Sequence, residues 1–332
     1  MNRVKLIVCY YGIFPQWMNV WLKSCETNSD IDFMIVTDIK ISNVPSNVSI
    51  LNMSFEKLRE HFSNILGFQA SLENPYKLCD YKPVYGKAFQ QELNGYEFWG
   101  YCDIDLIWGR ISNFITKEIL DKYDLIGKYG HLMIYRNNPT MNELFMQDGG
   151  SFTYKEVFMN PDNYSFDEMS GMDLIAHHKG IKQYKALKIA NVSPLYNRFK
   201  IAETESEKEF FAWRNGEILR ISGEENISVE EFAYLHFSGK KPQNKADWGH
   251  IEKSNLYLSS RAIENREKAE FTLSEIQSKN KFLNAMEDKK EKRLNRKRKI
   301  KQVLKKTIKQ KIIWLKVHSG VSKFNKIERE NG

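Results

Sequence analysis

Phe98-Trp99-Gly100-Tyr101-Cys102-Asp103-Ile104-Asp105-Leu106-Ile107-Trp108-Gly109 is an apolar segment of strand character, interrupted by two carboxylates one residue apart. A buried carboxylate without a partner is very costly, so two acids in such a segment need a reason. Strand alternation predicts that Asp103 and Asp105 share one face and point the same way. Two hard oxygen donors converging at a strand end suit Mg²⁺ or Mn²⁺, and through the ion a diphosphate. The segment therefore implies an enzyme acting on a nucleotide-linked substrate.

Upstream, strand and helix patterns alternate. Val4–Tyr11 is a short apolar run closing at Gly12, as a buried parallel strand would. Trp17–Cys25 has helical periodicity, Asp32–Asp38 reads as a second buried strand and Val48–Met53 as a third. Ser54 is an N-cap for a helix over Phe55–Leu66, and Tyr81–Leu93 reads as a further helix entering the acidic strand. This alternation predicts an α/β protein with one Rossmann-like, mixed but mostly parallel sheet and helices on both faces. Ligands in such sheets bind beyond the carboxyl ends of the strands, here Tyr10, Tyr11 and Gly12, Thr37 and Asp38, and Asp103 and Asp105. Downstream, Asp124–Ile126 and His131–Tyr135 read as short strands. Asn215-Gly216 within Phe210–Arg220 predicts a type I′ hairpin.

The chain of 332 residues carries a net charge of +8, unevenly spread. Lys289 to Lys316 holds fourteen Lys or Arg against one acid, Glu291, a net of +13 that leaves −5 for the remainder. The expected organisation is a catalytic domain over residues 1–262 and a basic amphipathic helical tail over 263–332. Ile300, Val303, Leu304, Ile308, Ile312 and Leu315 fall on one helical face, with lysines around the rest and Trp314 at the margin. That pattern suits an anionic membrane surface, and it lacks the interleaved aromatics expected of a nucleic-acid module. No run approaches the roughly 18 apolar residues of a membrane span. Cys9, Cys25, Cys79 and Cys102 form no Cys-x-x-Cys pair and read as free thiols of a reducing compartment. A cytoplasmic protein, peripheral on the inner face of the cell membrane, is the expectation.

Three further clusters carry chemistry. In His236-Phe237-Ser238-Gly239-Lys240-Lys241-Pro242, His236 can complete a metal site begun by two aspartates, while Gly239 and Lys240 offer a backbone N–H and a cation to phosphate. In Lys77-Leu78-Cys79-Asp80-Tyr81-Lys82-Pro83, Asp80 is either an N-cap or an acceptor from a base or ribose, and Lys82 can pair with phosphate. Asp167 and Glu168 offer a general base to an acceptor hydroxyl, or simply favourable charge at a helix start.

Taken together, the chain resembles a bacterial glycosyltransferase of the glycosyltransferase-A fold, of the polysaccharide-cluster kind. The resemblance is carried by Tyr10-Tyr11-Gly12, by Lys77–Pro83 and by Trp99–Asp105, in order with Asp38 and the downstream His236-x-x-Gly239-Lys240. It spans about residues 3–250 and departs from the pattern at Tyr10, where a proline often stands. The resemblance implies a nucleotide-sugar donor, most often UDP-linked, and Mn²⁺ or Mg²⁺ bridging Asp105 to the diphosphate. By the same analogy Asp103 reaches the ribose or a metal-bound water. Tyr10, Tyr11, Gly12 and Asp38, with Lys77, Asp80 and Lys82, line the nucleotide site, and His131 approaches the donor sugar. The implied acceptor is a saccharide, lipid-linked in capsule or O-antigen type synthesis. A sugar nucleotidyltransferase would bring a glycine-rich loop after the first strand, of which Gly12 alone is a poor sign. A non-enzymatic RNA-binding or assembly protein would account for the tail but not for the aspartates.

Overall fold

The computed structural model describes residues 2–168, 170–192, 199–201, 209–223, 225–237, 242–246, 255–259, 262–266, 268, 270–276, 292–293 and 296–300. The chain divides into two compact units, Met1–Gln277 and Ser278–Gly332.

The first unit opens with β1 (Val4–Cys9), β2 (Ile31–Thr37), β3 (Val48–Asn52) and β4 (Phe98–Cys102). It continues through β5 (Leu106–Trp108), β6 (Leu125–Tyr129), β7 (Leu132–Arg136) and β8 (Gln183–Tyr184). Seven of these form one sheet in the order β3-β2-β1-β4-β7-β6-β8. β1, β2, β3 and β4 are mutually parallel, β7 runs antiparallel to β4 and β6, and β8 returns parallel to β6. The mixed, mostly parallel α/β sheet expected from the alternation is the sheet observed.

Both faces are covered. Leu6, Phe33, Phe98 and Ile134 pack on one side with Trp21 and Leu22 of α1 (Met18–Glu26). Ile7, Met34, Tyr101 and Tyr135 pack on the other with Leu58, Phe62 and Leu66 of α2 (Phe55–Leu66). Alternate residues of each strand thus go to opposite cores. Ser54 caps α2 as expected, its side chain accepting from Lys57 N–H, and Gly67 closes it in the left-handed conformation at φ 74°.

Three expectations change over residues 78–108. The helix over Tyr81–Leu93 is a chain of short turns, α-helical at Leu78–Tyr81 and Tyr85–Ala88 with a 3-10 turn at Lys82–Val84 between them. Asp80 lies inside the first of these and does not cap it. The acidic strand is two strands: β4 ends at Cys102, the chain bends through Asp103-Ile104-Asp105, and β5 joins a different sheet.

That second sheet has the order β10-β9-β14-β5, with β9 (Ile189–Val192), β10 (Phe199–Ile201) and β14 (Tyr234–His236). A six-stranded third sheet runs β13-β12-β11-β16-β17-β15. Its members are β11 (Glu209–Arg214), β12 (Glu217–Ser222), β13 (Ser228–Phe232), β15 (Gln243–Asn244), β16 (Asn255–Leu258) and β17 (Ala262–Arg266). The β11–β12 hairpin turns at Asn215 and Gly216, both at positive φ, as a type I′ turn requires. β17 lies where a helical tail was expected to begin, because its backbone pairs antiparallel with β16. In the second unit the described residues 292–293 and 296–300 are helical and exposed. No helix among the described residues is long and apolar enough to cross a membrane.

Candidate functional site

β1, β2 and β4 are neighbours and parallel, so their carboxyl ends lie side by side. Tyr10, Tyr11 and Gly12 follow β1, Asp38 follows β2 and Asp103 follows β4. The bend that carries the aspartates is held at each of its residues. Asp103 N–H donates to His131 O at 3.0 Å, and Phe237 N–H donates to Asp105 O at 2.9 Å. Between them, Trp17 Nε1–H donates to Ile104 O at 3.1 Å.

His236 reaches this bend through strand pairing. β14 runs antiparallel to β5 with His236 opposite Leu106, one residue beyond Asp105. His236 Nε2 lies 3.3 Å from Asp105 Oδ1 and 3.9 Å from Asp103 Oδ2. The three residues present one ligand atom each, all within 4.8 Å of one another. Ligands at about 2.1 Å from an octahedral ion stand about 3–4 Å apart, so this donor set fits Mg²⁺ or Mn²⁺. His236 Nδ1 faces Asn191 Oδ1 at 3.1 Å, which places a proton on Nδ1 and turns Nε2 to the carboxylates. Burial pushes the Asp105 carboxyl up, but the hydrogen bond and charge of His236, with Lys82, outweigh it and hold the group below its ordinary value.

Lys82 is the hub behind this site. Its ammonium lies 2.6 Å from Asp103 Oδ1 and 2.8 Å from Asp167 Oδ2, and it donates to Gly130 O at 2.8 Å. Burial would drive that amine down, but Asp103 and Asp167, then Cys79, hold it charged and well above its ordinary value. Burial lifts Asp167 to about 7, against Lys82 and with help from the Asp103 and Glu168 charges. Asp167 is buried, whereas Glu168 is exposed and its carboxylate has no partner among the described residues.

His131 sits on the Gly130-His131 turn between β6 and β7, its ring 4.1 Å from that of His236. Its Nδ1 pairs with Tyr234 OH at 3.0 Å, and its buried Nε2 has no hydrogen-bond partner among the described residues. Burial, then the charges of His236 and Lys82, keeps the ring neutral, well below its ordinary value. Tyr10 stacks on Phe14 and lies close enough to Asp105 for that charge, after burial, to raise its phenol. Tyr11 is buried, its hydroxyl donating to Met53 O at 3.1 Å, and exposed Asp38 is within electrostatic reach of it.

Lys77 and Asp80 lie apart from the metal-type triad. Both are fully buried, joined at 2.8 Å, and engaged with backbone. Lys77 donates to Val157 O and Asp162 O, while Asp80 accepts from Tyr164 N–H at 2.9 Å and Phe166 N–H at 2.8 Å. The pair fastens the loop that leads into Asp167 and Glu168. Gly239 and Lys240 lie outside the described residues. Asn191 and Gly130 were not singled out from the sequence. A lone Asn gives no signal there, and a lone Gly before His131 gives little.

Fold and site together define an α/β protein with a mixed, mostly parallel sheet, whose strand-end aspartates meet a histidine from far along the chain in a divalent-cation type of donor set. The chain belongs to DUF6625, a family of unknown function, whose model matches residues 6–267. No curated protein matches it. Among solved structures it is similar to the galactosyltransferase LgtC in complex with donor and acceptor sugar analogs, at TM-score 0.34 and 10% identity over 56% of this chain and 75% of that one. An active-site mutant of LgtC aligns at TM-score 0.39 and 11% identity over 74% of this chain and 92% of that one. The functional reading below rests on the chain's own residues.

Proposed function

We propose that this protein is a metal-dependent glycosyltransferase that moves a hexose from a nucleotide-diphosphate sugar, UDP-linked by preference, to a saccharide acceptor. The observation that carries the reading is the meeting of Asp103, Asp105 and His236 at the carboxyl edge of the parallel strands. Bound there, Mg²⁺ or Mn²⁺ would supply Lewis-acid stabilisation to the diphosphate leaving group. Lys82 keeps Asp103 oriented and adds fixed positive charge behind it. His131, with one buried ring nitrogen unpaired among the described residues, has a donor or acceptor left for the donor sugar. Tyr10 and Asp38, at the ends of β1 and β2, flank the place for the nucleoside. Glu168, exposed and unpaired among the described residues, takes the acceptor hydroxyl's proton, while Asp167 is committed to Lys82.

The finer setting belongs to the same proposal. The acceptor is lipid-linked, as in capsule or O-antigen type synthesis, and residues 289–316 hold the enzyme on the anionic inner face of the cell membrane. The net +13 of that segment and the helical spacing of its apolar residues in the sequence support this; residues 301–316 lie outside the described residues. Deleting residues 289–332 should release the protein from phosphatidylglycerol-containing vesicles; equal sedimentation of both forms would refute the role.

The decisive test is calorimetry of UDP with and without Mn²⁺. Wild type should bind UDP only with the metal, and Asp105→Ala should lose that binding while keeping its circular dichroism spectrum. Metal-independent affinity, or affinity unchanged in Asp105→Ala, overturns the assignment.

A further inference from the structure

Tyr76 is a large aromatic side chain 74% exposed to solvent, with no hydrogen-bond or ring partner among the described residues. It is not on a loose loop. Asn74 caps the turn that carries it, its side chain accepting from Tyr76 N–H at 3.1 Å and Lys77 N–H at 3.3 Å. The next residue, Lys77, is the buried cation that joins Asp80 and the carbonyls of Val157 and Asp162. The backbone at Tyr76 is therefore fixed to the loop that leads to Asp167 and Glu168.

Helical turns run without a break from Pro75 through Val84, the first and last of them 3-10. Residues three apart in such turns stand in a column. Tyr76, Cys79 and Lys82 form one, running from the surface through a half-buried thiol to the buried ammonium that contacts Asp103 and Asp167. The Tyr76 phenol is raised first by Cys79, then by burial, and then by the charges of Glu168, Asp167 and Asp103. Those carboxylates accordingly lie within its electrostatic reach.

An exposed aromatic ring on an anchored turn, within reach of three carboxylates, is costly to hydrate and useful for a flat amphipathic ligand. A pyranose is such a ligand. Its axial C–H face is apolar, and its rim of hydroxyls suits acceptors such as Glu168. We propose that Tyr76 is the platform on which the acceptor's pyranose ring stacks, setting one of its hydroxyls against Glu168. The proposal rests on the glycosyl-transfer reading and adds to it the side from which the acceptor arrives.

The test uses the full chain, without nucleotide, in saturation-transfer NMR against lactose, maltose and sucrose as probes. Wild type and Tyr76→Phe should transfer saturation to the pyranose C–H protons of at least one sugar. Tyr76→Ala should bind that sugar about tenfold more weakly, the loss expected for an aromatic stack. Equal transfer in Tyr76→Ala, or none from wild type to any sugar, overturns the proposal. Loss of Mn²⁺-dependent UDP affinity in Tyr76→Ala with sugar transfer retained would reassign the ring to the nucleoside and also overturn it. UDP binding by wild type, measured in a separate sample, reports on the donor reading alone, so the two can fail independently.

Discussion

Replacing Lys82 by Met tests whether one buried cation holds the site together. Methionine keeps the packing of the aliphatic stem, one atom shorter, but removes the charge from between Asp103 and Asp167. Breaking a buried ion pair by deleting one partner costs about 3–5 kcal/mol, because the survivor is left buried and uncompensated. Asp103 is 29% exposed and recovers some hydration, whereas Asp167 at 4% recovers little, so the lower end applies. About 3 kcal/mol in a unit of this size lowers Tm by about 6–12 °C. The loss should depend on pH. Burial already raises Asp167 to about 7, with Lys82 opposing the rise. Without Lys82 the carboxyl moves higher still. An acid raised in the folded state contributes stability that is complete below its unfolded value, near 3.9, and is lost as pH climbs through the folded value. The deficit of Lys82→Met should therefore be small at about pH 5.5 and full at about pH 8.5, read by melting followed in circular dichroism. Adding Asp167→Asn should return part of the lost Tm at the higher pH. A deficit that is absent, or equal at both pH values, refutes the reasoning.

Three other perturbations test the supports of the site. Asn191→Ala removes the oxygen that faces His236 Nδ1, and Mn²⁺ affinity should fall about 10–100-fold in calorimetry; unchanged affinity means His236 is oriented by something else. Gly130→Ala would place a Cβ 2.6 Å from Asp167 Oδ2 and 2.8 Å from Glu168 Cγ, so stability should drop by about 1–3 kcal/mol in urea melts, and a wild-type midpoint would show that the turn yields freely. Asp80→Asn leaves Lys77 buried without its counter-charge, and about 3–5 kcal/mol should be lost, with faster hydrogen exchange across 157–166; unaltered exchange there would show that the pair does not fasten the loop.

The parts of the fold legible in the sequence are those fixed by local pattern. The apolar runs of β1, β2 and β3, the Ser54 cap on α2 and the Asn215-Gly216 hairpin each satisfy their own requirements within a few residues. The failures lie where distant partners decide. Tyr81–Leu93 reads as one helix, but the chain there runs as short turns, and Gly86 in the last of them leaves room for Trp99, whose indole would stand 2.2 Å from a Cβ. Asp80 has the side chain of a cap, yet amides of Tyr164 and Phe166, more than eighty residues on, compete for it and win. Ala262–Arg266 has little strand propensity, and its pairing with β16 overrides that. The contacts of Lys82 with Asp103 and Asp167 were beyond reach, since no spacing in the sequence connects those residues.

The acidic segment itself shows how both kinds of information combine. Its two carboxylates are partly exposed at the bend where the chain leaves one sheet for another, Lys82 and His236 offset what burial remains, and strand alternation has no authority at a bend. What aligns them is the set of three hydrogen bonds from Asp103 N–H to His131 O, Trp17 Nε1–H to Ile104 O and Phe237 N–H to Asp105 O. The same crossover brings β5 to β14, and the register that sets His236 opposite Leu106 leaves its ring beside Asp105. A one-residue slip of β14 would turn His236 to the opposite face and break the donor set. The parallel pairing of His236 with Asn191 in β9 fixes the strand from its other side, and the same asparagine orients the imidazole. Register and ring orientation thus have a common source, and the triad forms only when the second sheet is correctly assembled against the first.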